Sequence, residues 1–436
     1  MHYINSAPGL LTYKGKCMNE LIQSETMEYP YSLFQVCGLE LEYMIVDAST
    51  LDVMPVCDRL LAGISGETAN EVYPDGMTGV TAWSNELALH VLEFKTVNPV
   101  KSLKGLSSIF QSQVNRASAM LESYGAILMP TAMHPWMNPD REFRIWPHGS
   151  REIYNRFDSI FGCKGHGWSN LQSVHINLPF ADNNEFIKLH NAIRILIPVM
   201  NGLTASSPFA GGEFTGYSDY RMEVYRTNSA KIPAITGCVI PEITDGIAQY
   251  RETVLEKIYS DLRTHDPGGI ISHEWVNARG CIPRFERGSI EIRTLDIQEC
   301  PAADIACAEL IIAAAEWIVA GKAADPEKYN SISTERLYVI LLDTIKYGES
   351  SVIRDNEFLS LFGISESCTV SEFWKFMSER LYAGRKISPE LENIFMYGSL
   401  SSRILAASGK KPGRKKLSDV YSGLCRCLKD GKQFIP

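Results

Sequence analysis

Glu40 and Glu42 stand two residues apart inside the apolar run Gly38-Leu39-Glu40-Leu41-Glu42-Tyr43-Met44-Ile45-Val46. In an extended strand alternate side chains share a face. Leu39, Leu41, Tyr43 and Ile45 then point one way and both glutamates the other. Two carboxylates so placed repel each other unless something positive lies between them, most simply a divalent metal ion. Hard cations such as Mg2+ take oxygen ligands of this kind, usually with phosphate oxygens completing the shell. A half-exposed edge strand with solvated glutamates would carry the same pattern.

Three further segments shift the balance toward a site. In Glu86-Leu87-Ala88-Leu89-His90-Val91-Leu92-Glu93-Phe94-Lys95-Thr96, also read as extended, Glu93 sits between Leu92 and Phe94. A charge there needs a partner or a metal. In Gly288-Ser289-Ile290-Glu291-Ile292-Arg293, Glu291 and Arg293 share a face opposite Ile290 and Ile292. They could simply pair. Alternatively the carboxylate holds a metal while the guanidinium's planar fork holds a phosphate oxygen. In Ser173-Val174-His175-Ile176-Asn177-Leu178 the polar face is Ser173, His175 and Asn177. His175 gains weight as a ligand only beside the glutamates.

The acidic strands lie far apart in the chain, so they must be brought together in one sheet. Between and after them the spacing predicts helices over 103–124, 184–203, 242–263 and 302–323. Residues 133–170, rich in Pro, Trp, Gly, His and Arg, read as a long functional loop or lid, and 206–216 as a second loop. Beyond about residue 330 the pattern is helical, with turns at Gly363 and near Pro389 and a basic break at 409–416. The expected organisation is one catalytic domain over 1–436, with a helical C-terminal portion from 330 packed on it.

The chain has 436 residues, 45% of them hydrophobic, and a formal net charge of −9. That balance is globular and speaks against a general nucleic-acid or anionic-membrane role. The basic run Lys410 to Lys416 reads as a short charged linker. Eleven cysteines include no C-x-x-C pair. Met1-His2-Tyr3-Ile4-Asn5 has no signal-like pattern, so reduced thiols in the cytoplasm are expected. Residues 305–319 are too short and too charged for a membrane span and suit a buried helix. Neither a G-x-x-x-x-G-K-[ST] loop nor a G-x-G-x-x-G fingerprint is present, so phosphates would be held by metals and arginines.

Five segments in this order resemble the glutamate–cysteine ligase family, in particular its carboxylate–amine ligase branch. They are GLELEYMIVD from Gly38, ELALHVLEFKT from Glu86, QSVHINLPF from Gln172, LTASSPFAGGEFTGYSDYR from Leu203 and GSIEIRTLD from Gly288; GSLSSRIL from Gly398 is a weaker match. The resemblance implies an α+β fold of the glutamine synthetase and guanidino kinase type. This is a curved, mainly antiparallel sheet with helices on its outer face, and a concave face holding ATP and Mg2+.

It further implies that Glu40, Glu42, Glu93, His175 and Glu291 ligate two or three Mg2+ ions. Arg293 would stabilise the transferring phosphate, and Arg221 would grip a substrate carboxylate. The other reading of Arg221 is a surface ion pair with Asp219 or Glu223. Glu86 has no evident role, since an unbroken strand puts it on the face opposite Glu93. The expected activity is ATP-dependent ligation of an amine, cysteine first, to the side-chain carboxylate of glutamate, through an acyl phosphate. Other acid–amine pairs, a guanidino kinase and a non-catalytic nucleotide or amino-acid sensor are the alternatives. A homodimer is compatible with this reading, and the acceptor amine is left open.

Overall fold

The computed structural model describes residues 28–323 and 326–436. Met1–Asn5 and Cys17 lie outside the described residues; the other ten cysteines are free thiols. Ten strands matter for the site: β1 Gly38–Asp47, β2 Glu71–Val72, β3 Thr81–Asn85, β4 Val91–Thr96, β5 Ala126–Met129, β6 Ser173–Pro179, β7 Phe209–Ala210, β8 Glu213–Phe214, β9 Cys281–Arg284 and β10 Ser289–Asp296. Eight form one sheet in the order β2-β3-β4-β1-β6-β10-β9, with β5 also paired to β1. Every pairing in it is antiparallel. The α+β class is therefore as expected.

Period-two alternation sorts the sheet into two faces. Leu39, Leu41, Tyr43, Ile45, Leu92, Phe94, Val174, Ile176, Leu178, Ile290 and Ile292 all enter one large apolar core. Helices Asn183–Thr204, Leu106–Leu121 and Pro301–Val319 cover that face. The first begins where the Asp182 side chain accepts a hydrogen bond from the Glu185 amide at 2.9 Å, satisfying one of its free N–H groups. From Leu189 to Thr204 it is buried throughout. Burying each large apolar side chain here contributes about 1.5–3 kcal/mol.

On the opposite face β1 changes character along its length. Glu40 and Glu42 stay polar. Met44 and Val46 join a second core with Met129, Trp136 and Phe209, under helices Leu400–Ser408 and Arg414–Asp430. The C-terminal helices therefore wall one end of the acidic face.

Several expectations need correction. Residues 133–170 are not structureless: they contain helices Pro139–Glu142, Arg151–Phe161 and His166–Ser169. The 206–216 loop contains the β7–β8 hairpin, whose two turn residues, Gly211 and Gly212, both have positive φ (58° and 84°). That turn type needs residues without a Cβ penalty. The helix expected from Glu242 starts at Ile247, because Glu242 leaves the helical path to pair with Arg279 at 2.5 Å; it passes through a π-helical turn at Arg251–Leu255. After residue 330 the chain is not wholly helical, since Val352–Ile353 and Cys368–Thr369 form a two-stranded ribbon. The basic run is not a plain linker either. Arg414 opens the last helix, lies 3.7 Å from the Trp136 ring centre and pairs with Asp52 at 2.8 Å. Among the described residues no helix is long and apolar enough to cross a membrane.

Candidate active site

Antiparallel register sets the acidic face side by side. Directly opposite residues share a face, and here Glu42 faces Glu93, Glu40 faces His175, and Glu291 faces Asn177. All five ligands expected from the sequence, with Arg221 and Arg293, line one cleft of about 410 Å³. His175 Nδ1 is 2.8 Å from Glu40 Oε2, and its Nε2 is 2.9 Å from Ser173 Oγ and 3.8 Å from Glu42 Oε1. Ser173 donates its amide to Glu42 Oε2 at 2.7 Å. Asn177 donates to Glu40 Oε1 at 3.1 Å.

Burial alone would push the His175 ring down, but the Glu40 hydrogen bond and the charges of Glu42, Glu40 and Glu291 raise it to about 9. His175 in this arrangement is a cation bridging carboxylates. It would ligate a metal as the neutral ring, giving up that proton as the metal enters. Burial would raise Glu40, yet its bond to His175, with Lys95 and Arg284 nearby, holds it well below the usual carboxylate range.

Glu86 corrects the reading of an unbroken strand. β3 ends at Asn85 and β4 begins at Val91, and the intervening turn swings Glu86 onto the face of Glu93. Glu42, Glu86 and Glu93 each offer an oxygen within 4.8 Å of the others, as do Glu40, Glu93 and His175. Burial and the charges of Glu42 and Glu93 push Glu86 well above the carboxylate range. Burial also raises Glu93 to about 7, against the nearby Lys95. Carboxylates crowded until they retain protons are a donor set suited to a hard divalent cation.

β10 carries a bulge. Ile292 pairs with Ile176 but Leu295 pairs with Val174, so β10 has one residue more than β6 across this interval. The extra residue flips the alternation beyond it. Leu295 enters the apolar core, while Asp296 turns to the polar face opposite Ser173. There it takes Arg221 Nε at 2.5 Å. Arg221 is thus buried and paired with Asp296, not with Asp219 or Glu223. Its Nη2 has no hydrogen-bond partner. Asp219 instead caps the helix Tyr220–Asn228, accepting the Met222 amide at 2.8 Å. That helix presents Arg221, Tyr225 and Asn228 to the cleft at i, i+4 and i+7.

Arg293, at the bulge, lies 3.0 Å from Glu291 Oε1, and Arg284 from β9 lies 2.7 Å from Glu291 Oε2. Burial would raise Glu291, but these two guanidiniums bring it below the carboxylate norm. Arg284 and Asp296 were missed in the sequence, and Ser173 was placed on the polar face with no role. The helical spacing of Arg221, Tyr225 and Asn228 after an Asp cap was legible and could have placed that face. Arg403, in the C-terminal segment, lies outside the cleft in a fully buried ion pair with Glu299.

The structure of the Francisella tularensis glutamate–cysteine ligase in complex with AMP matches with a TM-score of 0.55 over 92% of this chain and 90% of that one. At 11% identity this likeness concerns the fold alone. Residues 36–355 match glutamate–cysteine ligase family 2, and the chain belongs to that family. An uncharacterized protein of Archaeoglobus fulgidus is 35% identical over 274 residues, 63% of this chain and 72% of its own length. The glutamate–cysteine ligase of Haloquadratum walsbyi is 26% identical over 345 residues, 79% of this chain and 85% of its own. Several other relatives are matched over less than two thirds of their length.

Proposed function

We propose that the protein is an ATP-dependent ligase that joins a primary amine to the side-chain carboxylate of glutamate, forming a γ-glutamyl amide. The observation that carries this reading is the meeting of five carboxylates and three guanidiniums, Arg221, Arg284 and Arg293, in one cleft. Glu40, Glu42, Glu86, Glu93 and Glu291 would hold Mg2+, which when bound neutralises phosphate charge. His175 would join them once deprotonated.

A carboxylate and an amine do not condense in neutral water; the carboxylate must first become an acyl phosphate. Its oxygen attacks the γ-phosphorus of ATP and ADP leaves. Arg293 meets the negative charge on the phosphoryl group during transfer. Arg221, oriented by Asp296, offers its free Nη2 to the substrate's other carboxylate. The amine then attacks the acyl carbon and phosphate leaves. The name of the Haloquadratum relative makes cysteine the first acceptor to try.

The test is ADP release by the purified protein with Mg-ATP and glutamate against a panel of amines. Release should need both acid and amine and should stop when EDTA removes the metal. Phosphate appearing on a guanidino compound would favour a kinase. ATP that binds but is never consumed would favour a sensor.

A further inference from the structure

We propose that the acceptor is an apolar primary amine without a carboxylate, bound as its ammonium by the aromatic trio Phe157, Trp168 and Trp275. This rests on the carboxylate–amine ligase reading above and adds the acceptor's chemical class.

The cleft has two chemistries. One part is the charged sheet face. The other is roofed by helix Arg151–Phe161, the segment 165–171 and residues 275–278, where all three rings line the space. Phe157 lies between the tryptophans, its ring centre 5.4 Å from that of Trp168 and 5.9 Å from that of Trp275. Phe161 stacks on Trp168 and His273 on Trp275, and neither of these lines the cleft.

Elsewhere in the fold tryptophan faces are covered by the protein's own cations, Arg414 on Trp136 and Arg380 on Trp317. Among the described residues no arginine or lysine lies over Phe157, Trp168 or Trp275. Aromatic rings at a cleft that carry no protein cation attract an alkylammonium through their quadrupoles. Ile153, Ile235 and Val276 beside them would bury an apolar tail.

The trio is held in place. Trp168 Nε1 donates to the Asn228 carbonyl at 3.1 Å, and Asn228 Nδ2 donates to the Gly167 carbonyl at 2.8 Å. Lys231 Nζ donates to the Ile160 carbonyl at 2.9 Å, and Asn85 Nδ2 donates to the Tyr154 hydroxyl at 3.2 Å. At Gly167 a Cβ would meet the Val224 carbonyl oxygen at 3.0 Å, so only glycine allows this close approach.

The cleft's charges argue against an amino-acid acceptor. Its three guanidiniums already face carboxylates, Arg284 and Arg293 on Glu291 and Arg221 on Asp296. Phosphate and the glutamate carboxylate call on Arg293 and Arg221 in the reaction. A carboxylate on the acceptor would then compete with Glu291 for Arg284. In the transfer step the amine nitrogen forms a bond to the acyl carbon while the carbon–oxygen bond to phosphate breaks. Of the ammonium's three protons one stays on the amide, one leaves on hydrogen phosphate and one goes to solvent.

The test is isothermal titration of the full chain with phenethylammonium, phenylalanine and cysteine, paired with ADP release on Mg-ATP, glutamate and each amine. Phenethylammonium should bind at least about tenfold more tightly than phenylalanine, which differs by its carboxylate, and should be the preferred acceptor. Trp275→Leu, at a half-buried position, and Phe157→Ala should weaken phenethylammonium about tenfold and leave ATP affinity unchanged, with melting curves as the folding control. If either variant that folds weakens ATP instead, the rings hold the adenine and the proposal falls. Preference for cysteine or phenylalanine overturns it while the ligase reading stands. If no amine drives ADP release, the ligase reading fails and takes this proposal with it.

Discussion

Glu40 and Glu86 are the same side chain on one acidic face, yet their surroundings treat them oppositely. Glu40 accepts from His175 and Asn177. Glu86 is buried against Glu42 and Glu93 and is pushed up by them. From repulsion alone, both glutamine variants should relieve strain. The structure separates them. Glu40→Gln strips His175 of its closest carboxylate and should cost on the order of 1–3 kcal/mol in urea unfolding. Glu86→Gln should melt no lower than the parent in EDTA, yet need more Mg2+ for half-maximal rate. A Glu86→Gln protein with the parent's Mg2+ dependence would remove it from the metal set. Arg293→Ala should lose kcat by about 10²–10³ with a smaller change in ATP affinity, and Arg293→Lys should recover little. Because Arg293 also faces Glu291, melting temperatures decide the case. A large stability loss with near-normal kcat in the folded fraction would leave it a structural partner only.

At the scale of elements, the β10 bulge does most to shape the site. Alternation before it gives Glu291 and Arg293 to the cleft, and the bulge then turns Asp296 to the same face to orient Arg221. The Arg293 amide reaches out of the β6 ladder to the Gly280 carbonyl at 3.0 Å. At Gly280 a Cβ would meet Thr294 Cγ2 at 2.8 Å and Ile197 side-chain carbons at 3.2 Å. Gly280→Ala should therefore push the bulge outward and destabilise the protein by about 1–3 kcal/mol. The folded fraction should lose at least about tenfold in kcat, because misplacing a positioned group by a fraction of its reach is costly. Parent-like turnover with parent-like melting would show that the bulge tolerates the added methyl.

Across the whole molecule, buried histidines oppose folding in acid. Burial lowers His90 to about 3, His134 to about 4 and His190 to about 4. In the unfolded chain each takes a proton near pH 6.5. Below that pH the unfolded state binds protons that the folded state refuses until pH 4 or lower. Stability therefore falls as pH falls from about 6.5 to 4, by up to about 1.4 kcal/mol per pH unit for each ring. His175 has the opposite sign. Raised to about 9, it contributes stability that is full below about 6.5 and is lost as pH rises to about 9. Glu93, raised to about 7, and Glu86, raised by burial, have the same sign as His175, so the histidine contribution is read as the difference between parent and variant urea midpoints from pH 4.5 to 6.5. Neither ring nitrogen of His90 has a hydrogen-bond partner, so His90→Leu should flatten the acid limb. An unchanged acid slope in that variant would contradict this account.

Period-two alternation is a local property, so the sequence alone assigned Glu40, Glu42, Glu93, His175, Glu291 and Arg293 to polar faces, and register brought them together in one sheet. The main helices were legible for the same reason, since 3.6-residue periodicity is written in consecutive residues. What breaks periodicity was not legible. The turn after Asn85 that redirects Glu86, the bulge that turns Asp296 inward and the helix that carries Phe157 over the cleft interrupt a local pattern to satisfy contacts made elsewhere. Arg284 pairs with Glu291 across a hairpin, and Arg221 finds Asp296 across 75 positions of chain. Pairing energies between residues so far apart have no footprint in either one's neighbours, so only the folded arrangement decides which carboxylate each arginine meets.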